Sequence, residues 1–190
     1  MTLQRILPFT RTLLDSVLAE GGVAIDGTCG NGHDTLFLAE SVGKSGKVYG
    51  FDIQSEAIKS TEKRLQEADQ YTQVALFQET HASINNNIEK EHIGKVSAAI
   101  FNLGYLPGGD KSIVTNAEET IQSVTDILRL LHSGGLLILV VYPGHPEGKI
   151  ESEKVTNFAT DLNQSHFQVL KYQFINQIND PPYILAISKK

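Results

Sequence analysis

Asp26 opens a run of turn-forming residues, Asp26-Gly27-Thr28-Cys29-Gly30-Asn31-Gly32-His33-Asp34. The run follows apolar Val23-Ala24-Ile25 and precedes a helix-like pattern, Thr35-Leu36-Phe37-Leu38-Ala39-Glu40. Glycines at a strand-to-helix turn permit sharp backbone bends and close approach of a ligand, and a helix start offers free N–H groups. This is the chemistry of binding a nucleoside cofactor. Thr28, Gly30, Asn31, Gly32 and Asp34 are the candidate contacts in the turn. Asp34 also suits the positive end of a helix dipole. A carboxylate at the strand end, Asp26, fits a cationic amino-acid group better than a pyrophosphate. That points to S-adenosylmethionine ahead of NAD.

Two further strand ends carry fitting groups. Asp52, in Tyr49-Gly50-Phe51-Asp52-Ile53-Gln54, can accept both ribose hydroxyl protons. In Gln78-Glu79-Thr80-His81, Glu79 is the better acceptor for the exocyclic amine of adenine and Gln78 the weaker. Ile53 and His81 are placed to flank the ring, and Gln54 lies beside them; the plainer reading of His81 is a loop histidine. An NAD fingerprint would need glycine or alanine three residues after Gly32, where this chain has Thr35. His, Cys and Glu show no metal-ligand spacing, so no metal is expected.

The acceptor end is Asn102-Leu103-Gly104-Tyr105-Leu106-Pro107-Gly108-Gly109-Asp110. Its layout resembles the Asn-Pro-Pro-Tyr motif of amino-group methyltransferases, with Leu103-Gly104 in place of the prolines. An asparagine carbonyl can accept an N–H of an amine and hold its lone pair toward a methyl donor, while Tyr105 walls in the acceptor. After the next strand, Tyr142-Pro143-Gly144-His145 puts Tyr142 and His145 on the same rim. His145 is a candidate base because imidazole titrates near neutrality, although two prolines and two glycines also build a rigid turn.

Strand-like runs that would position these residues are Val23–Gly27, Lys47–Asp52, Gln73–Gln78, Val96–Asn102, Gly135–Tyr142, Gln168–Phe174 and Tyr183–Ser188. Helical patterns fall at Pro8–Ala19, Asp34–Val42, Ser55–Ala68, Ala82–Glu89, Ile113–Leu131 and Lys149–Gln164. Such alternation predicts a parallel sheet covered on both faces. Only a short polar segment separates the last two strands, which allows an antiparallel hairpin but no crossover. The expectation is a Rossmann-like α/β fold of the class I methyltransferase kind. Its seven-stranded, mostly parallel sheet would have order 3-2-1-4-5-7-6 with one antiparallel strand, as a single domain over 1–190.

The chain has 190 residues, a net charge of −6 and one cysteine. The charge argues against a general nucleic-acid binder, though not against a local basic face. A lone Cys29 forms no intrachain disulfide and fits a reducing cytoplasm. No apolar run approaches the roughly 20 residues that span a bilayer. Lys189-Lys190 reads as a solvated tail.

Together, Asp26–Asp34, Tyr49–Gln54, Phe101–Asp110, Tyr142–His145 and Asn179–Pro182 resemble the bacterial family of tRNA 5-aminomethyl-2-thiouridine methyltransferases, earlier described as rRNA methylases. The resemblance spans nearly the whole chain without departure at the motif positions. It implies S-adenosylmethionine as cofactor, a homodimer, and the tRNA anticodon loop as partner. The product would be 5-methylaminomethyl-2-thiouridine at the wobble position. The residues fit that chemistry: Leu103 and Leu106 would desolvate an amine and favour its neutral form, and Asn102 would orient it. Tyr105 and Tyr142 can stack on an unpaired base, with Arg5, Arg11 and Lys111 as candidate phosphate contacts. A methyltransferase acting on rRNA or a small molecule, and a non-catalytic cofactor-binding protein, are the competing readings.

Overall fold

A computed structural model describes residues 2–104, 116–144 and 146–190, without the side chains of Pro146 and Glu147. Seven strands make one sheet: β1 (Val23–Asp26), β2 (Lys47–Phe51), β3 (Val74–Phe77), β4 (Val96–Leu103), β5 (Leu131–Val141), β6 (Phe167–Tyr172) and β7 (Tyr183–Lys189). Their order is β3-β2-β1-β4-β5-β7-β6. The first five are mutually parallel, and β7 runs antiparallel to both β5 and β6. This is the order expected from the sequence.

The helices are α1 (Ile6–Asp15), α2 (His33–Val42), α3 (Ser55–Glu67), a single turn α4 (Ile84–Asn87), α5 (Ala117–Leu130) and α6 (Pro146–Thr160). All four residues of β1 are buried, as are Val48 to Phe51 in β2, because helices cover both faces. One core layer joins Leu14, Leu38 and Leu65 of α1, α2 and α3 to Ile100 and Ile138. The other sets Val124, Ile127 and Val155 of α5 and α6 against Ile25, Phe101 and Leu139. Leu14, Leu38 and Leu65 are fully buried, and each side chain contributes about 1.5–3 kcal/mol through its removal from water.

The sheet fans out from β1, with β2 on one side and β4 on the other. Strand order reverses between them, so a crevice opens beyond their carboxyl ends. The β1–β4 register shifts at Val23/Ala24, after which Asp26 pairs with Ile100. Thr28 therefore comes level with Asn102, and the glycine turn faces the end of β4.

Three expectations are corrected. The helix expected over Ala82–Glu89 is a 3₁₀ turn, His81–Ser83, followed by α4, with Ile88 extended. Three consecutive asparagines, Asn85 to Asn87, make up most of α4, and their weak helix propensity is consistent with its single turn. Their amides compete for local backbone groups, and Asn87 Nδ2 donates to the Ser83 carbonyl at 3.1 Å. β5 starts at Leu131, directly after α5, with Gly134 at φ +88° in the irregular stretch before Leu136. Lys189 is no solvated tail: its Nζ donates to the carbonyls of Leu128 at 2.9 Å and Leu131 at 2.7 Å, closing the C-terminus of α5.

At the opposite end of the sheet from the crevice, Glu89, Glu91 and His92 bring ligand-type atoms within 4.8 Å of one another, a grouping their spacing did not suggest. Glu89 there pairs with Lys47 at 3.0 Å, and the Tyr49 hydroxyl meets His92 Nδ1 at 2.7 Å. Among the described residues, no helix is long and apolar enough to cross a membrane.

Candidate active site

The glycine turn wraps the carboxyl end of β1. Gly30 and Gly32 take φ of +52° and +77°, a region that L side chains enter at a cost. Gly32 also has no room for a side chain, because a Cβ there would stand 2.8 Å from Cα of Thr61 on α3. A Cβ on Gly27 would enter the Phe101 ring at 2.2 Å. The turn is thus pressed between α3 and β4. The hydroxyl of Thr61 donates to the Gly30 carbonyl at 3.2 Å and Arg64 Nε to the Asn31 carbonyl at 2.7 Å, so one face of α3 holds it. Exposed His33 meets Arg64 Nη2 at 3.3 Å.

Asp26 is fully buried. Its Oδ1 accepts the Thr28 N–H at 3.1 Å and its Oδ2 the Thr35 hydroxyl at 2.6 Å. Burial first, and then the nearby Asp34, push its pKa up to about 7. The sequence placed Asp26 against a cationic ligand; the fold encloses it and spends its oxygens on the turn itself. Thr35, which the sequence marked only as a mismatch to the NAD fingerprint, is its hydroxyl partner. Cys29 packs beside it, buried, and burial raises the thiol's pKa, which disfavours the thiolate and suits a packing role.

Asp52 ties two strand ends together. Its Oδ2 accepts the Gly30 N–H at 2.9 Å and its Oδ1 the Gln54 N–H at 3.0 Å. Each carboxylate oxygen has a further acceptor site, so the group is still able to take ribose hydroxyls. Ile53 beside it is 49% exposed, an apolar side chain left uncovered at the rim. Glu79 is exposed and accepts Asn87 Nδ2 at 3.0 Å; hydrogen bonds from Ser83 and Asn87 hold its carboxyl below the ordinary range.

His81 is buried, edge-on to Phe101 with ring centroids 5.6 Å apart. Burial lowers its pKa, which favours the neutral ring. Its Nε2 is enclosed with no hydrogen-bond partner among the described residues. An orphaned polar atom behind the ends of β3 and β4, together with a glycine cradle and a rim carboxylate, fits a nucleoside carrying several polar edges.

At the end of β4, Asn102 is held twice by the turn. Its N–H donates to Thr28 Oγ1 at 2.7 Å, and its Nδ2 donates to Asp34 Oδ2 at 2.9 Å. Asp34 lies in the first turn of α2, whose N-cap is Gly32 with no side-chain cap. So the acid serves Asn102 as well as the helix dipole. Tyr142 follows β5 on the same rim, its N–H donating to the Leu103 carbonyl at 3.3 Å. Burial and the charge of Asp34 raise its phenol pKa.

Tyr105, Leu106 and Lys111 lie outside the described residues, as do the rest of the loop through Asp110 and His145. The β6–β7 connection returns to this rim, where Asp180 pairs with Lys149 of α6 at 2.9 Å. Arg11 stacks over Phe37 at 5.2 Å, and Arg5 precedes α1 as its N-cap.

The family model described as "Putative rRNA methylase" matches residues 48–188. The chain is 38% identical over 184 residues to an Arabidopsis thaliana protein named as a chloroplastic tRNA (mnm(5)s(2)U34)-methyltransferase. The match covers 93% of this chain and 66% of that protein, so the chain spans about two thirds of the relative's length. A solved structure of a "putative rRNA-methylase" from Clostridium thermocellum superposes over both full chains with TM-score 0.96 and 40% identity. Another, a "putative methyltransferase" from Streptococcus mutans in complex with SAH, covers both full chains with TM-score 0.89 and 37% identity.

Proposed function

The chain belongs to the "Putative rRNA methylase" family, and on that footing we propose that it is an S-adenosylmethionine-dependent tRNA N-methyltransferase. The reaction converts 5-aminomethyl-2-thiouridine at the wobble position to 5-methylaminomethyl-2-thiouridine, the substrate class named for the Arabidopsis relative. The observation that supports the reading is the pair of hydrogen bonds that tie Asn102 to Thr28 and Asp34, since an amide beside the turn can orient an acceptor amine.

Bound at the turn, S-adenosylmethionine supplies an electrophilic methyl group. The chain's residues do the rest. Asp52, the glycine turn and Glu79 hold the nucleoside, with Ile53, Gln54 and His81 around the base. Asn102 accepts an N–H of the amine, and exclusion of water from the site disfavours its protonated form. Leu103, expected from the sequence to do this, is instead buried in the core with Phe101 and Val141. Orientation alone supplies much of the acceleration, because reacting atoms need to lie about 3–3.5 Å apart. Tyr105, Tyr142 and His145 belong to the acceptor side, where the base of an anticodon loop stacks. Residues 1–190 act as a single cytoplasmic domain, paired as a homodimer that completes the RNA-binding face of an otherwise acidic chain.

The test is incubation with S-adenosylmethionine and tRNA from a strain lacking this protein, followed by nucleoside mass spectrometry. A gain of one methyl group on the wobble uridine supports the reading. Methyl transfer to ribosomal RNA alone, or binding of the cofactor without transfer to any RNA, overturns it.

A further inference from the structure

The side-chain amide of Asn102 is useful to an amine only in one of its two orientations, with Oδ1 turned toward the acceptor. Rotation by half a turn exchanges oxygen and nitrogen with almost no change of shape, so packing alone does not select between them. The Asp34 carboxylate does. It accepts and offers no proton, and Oδ2 lies 2.9 Å from Nδ2 of Asn102. The reversed amide would set oxygen against oxygen at that distance. The backbone of Asn102 is fixed independently by the Thr28 hydroxyl at 2.7 Å, which leaves the side-chain torsions as its remaining freedom.

We propose that Asp34 is the positioning residue for Asn102, holding its amide nitrogen inward so that its carbonyl oxygen is presented to the acceptor amine. This rests on the N-methyltransferase reading above. It assigns Asp34 a part in amine orientation, where the sequence had suggested cofactor binding or helix capping. The two residues stand 68 positions apart, so the contact couples the cofactor turn directly to the acceptor strand.

The test combines kinetics with side-chain amide NMR. Asp34→Ala lowers kcat on tRNA lacking the final methyl by about 10–100-fold, the rate equivalent of one hydrogen bond to a charged group. Affinity for S-adenosylmethionine falls far less. Asp34→Asn, whose amide oxygen still accepts, retains more turnover than Asp34→Ala. Asp34→Ala adds no further loss in an Asn102→Ala background, because the second residue acts through the first. The side-chain NH₂ resonances of Asn102, identified by their loss in Asn102→Ala, shift in Asp34→Ala. Multiplying losses in the double variant, equal losses in kcat and cofactor affinity, or unmoved resonances overturn the proposal. If the wild-type protein leaves this tRNA unmethylated, the acceptor assignment falls, and the resonances alone decide whether Asp34 orients Asn102.

Discussion

The hydroxyl of Thr28 accepts the backbone N–H of Asn102 at 2.7 Å, while the N–H of Thr28 donates to Asp26 at 3.1 Å. One small residue thereby joins the end of β4 to the buried acid of the cofactor turn. Thr28→Val keeps the volume and leaves the Asn102 N–H without its acceptor. The expected loss is about 1–3 kcal/mol of stability, with turnover falling more than cofactor affinity. Urea denaturation and steady-state kinetics on the same variant check both.

Asp52 bonds the turn after β1 to the turn after β2 through the N–H groups of Gly30 and Gln54. Asp52→Ala removes an acceptor shared by two backbone groups and the proposed ribose contact. Calorimetric titration is expected to show cofactor affinity weakened by more than about tenfold, since each 1.4 kcal/mol is a factor of ten. An unchanged Kd would place the cofactor elsewhere.

The pKa of Asp26 is raised in the folded protein to about 7, so the folded state binds its proton more tightly than the unfolded chain. The resulting stability is whole below the ordinary carboxylate pKa of about 3.9. It is lost as pH rises through about 7. Asp26→Asn cannot ionise, and its amide still satisfies the Thr35 hydroxyl, which can reverse its role. Relative to wild type, the variant gains stability between about pH 4 and about pH 8. Denaturation midpoints across that range measure the difference; parallel curves would contradict the assignment.

Gly32→Ala forces a side chain into backbone at φ +77° and to within 2.8 Å of Thr61 Cα. The strain of about 1–2 kcal/mol and the displacement of α3 act together on the turn. Thermal unfolding should show lower stability, and cofactor binding should weaken as well.

Lys189→Met keeps the methylene stem and removes the donors that close α5. A loss of about 1–2 kcal/mol is expected from the uncapped carbonyls. Cofactor affinity should stay constant, because this contact lies at the far end of the sheet from the glycine turn. A drop in affinity would show that α5 couples to the site.

Much of this was legible along the chain. Short apolar runs alternating with longer amphipathic ones specified a covered parallel sheet, since a strand buried on both faces must be apolar throughout. The polar connection before Tyr183 was too short for a crossover, and β6 and β7 pair antiparallel. The asparagine run that makes up most of the single-turn α4 is a local feature that propensity could have shown. The hold of Thr61 and Arg64 on the glycine turn could not be read, because it depends on how α3 packs.

The sequence by itself determined which chemical groups stand at the strand ends: the acid and glycines after β1, Asp52 after β2 and Asn102 at the end of β4. Only the tertiary structure decided which of them meet. The register shift at Val23/Ala24 advances β4 by one residue, pairing Asp26 with Ile100. Without it Thr28 would come level with Phe101, whose side chain points to the other face of the sheet. With it, Thr28 and Asp34 close on Asn102, and Asp26 is sealed beneath them. Local pattern fixes what a strand end carries, but its partner is set by register, which depends on packing across the whole sheet.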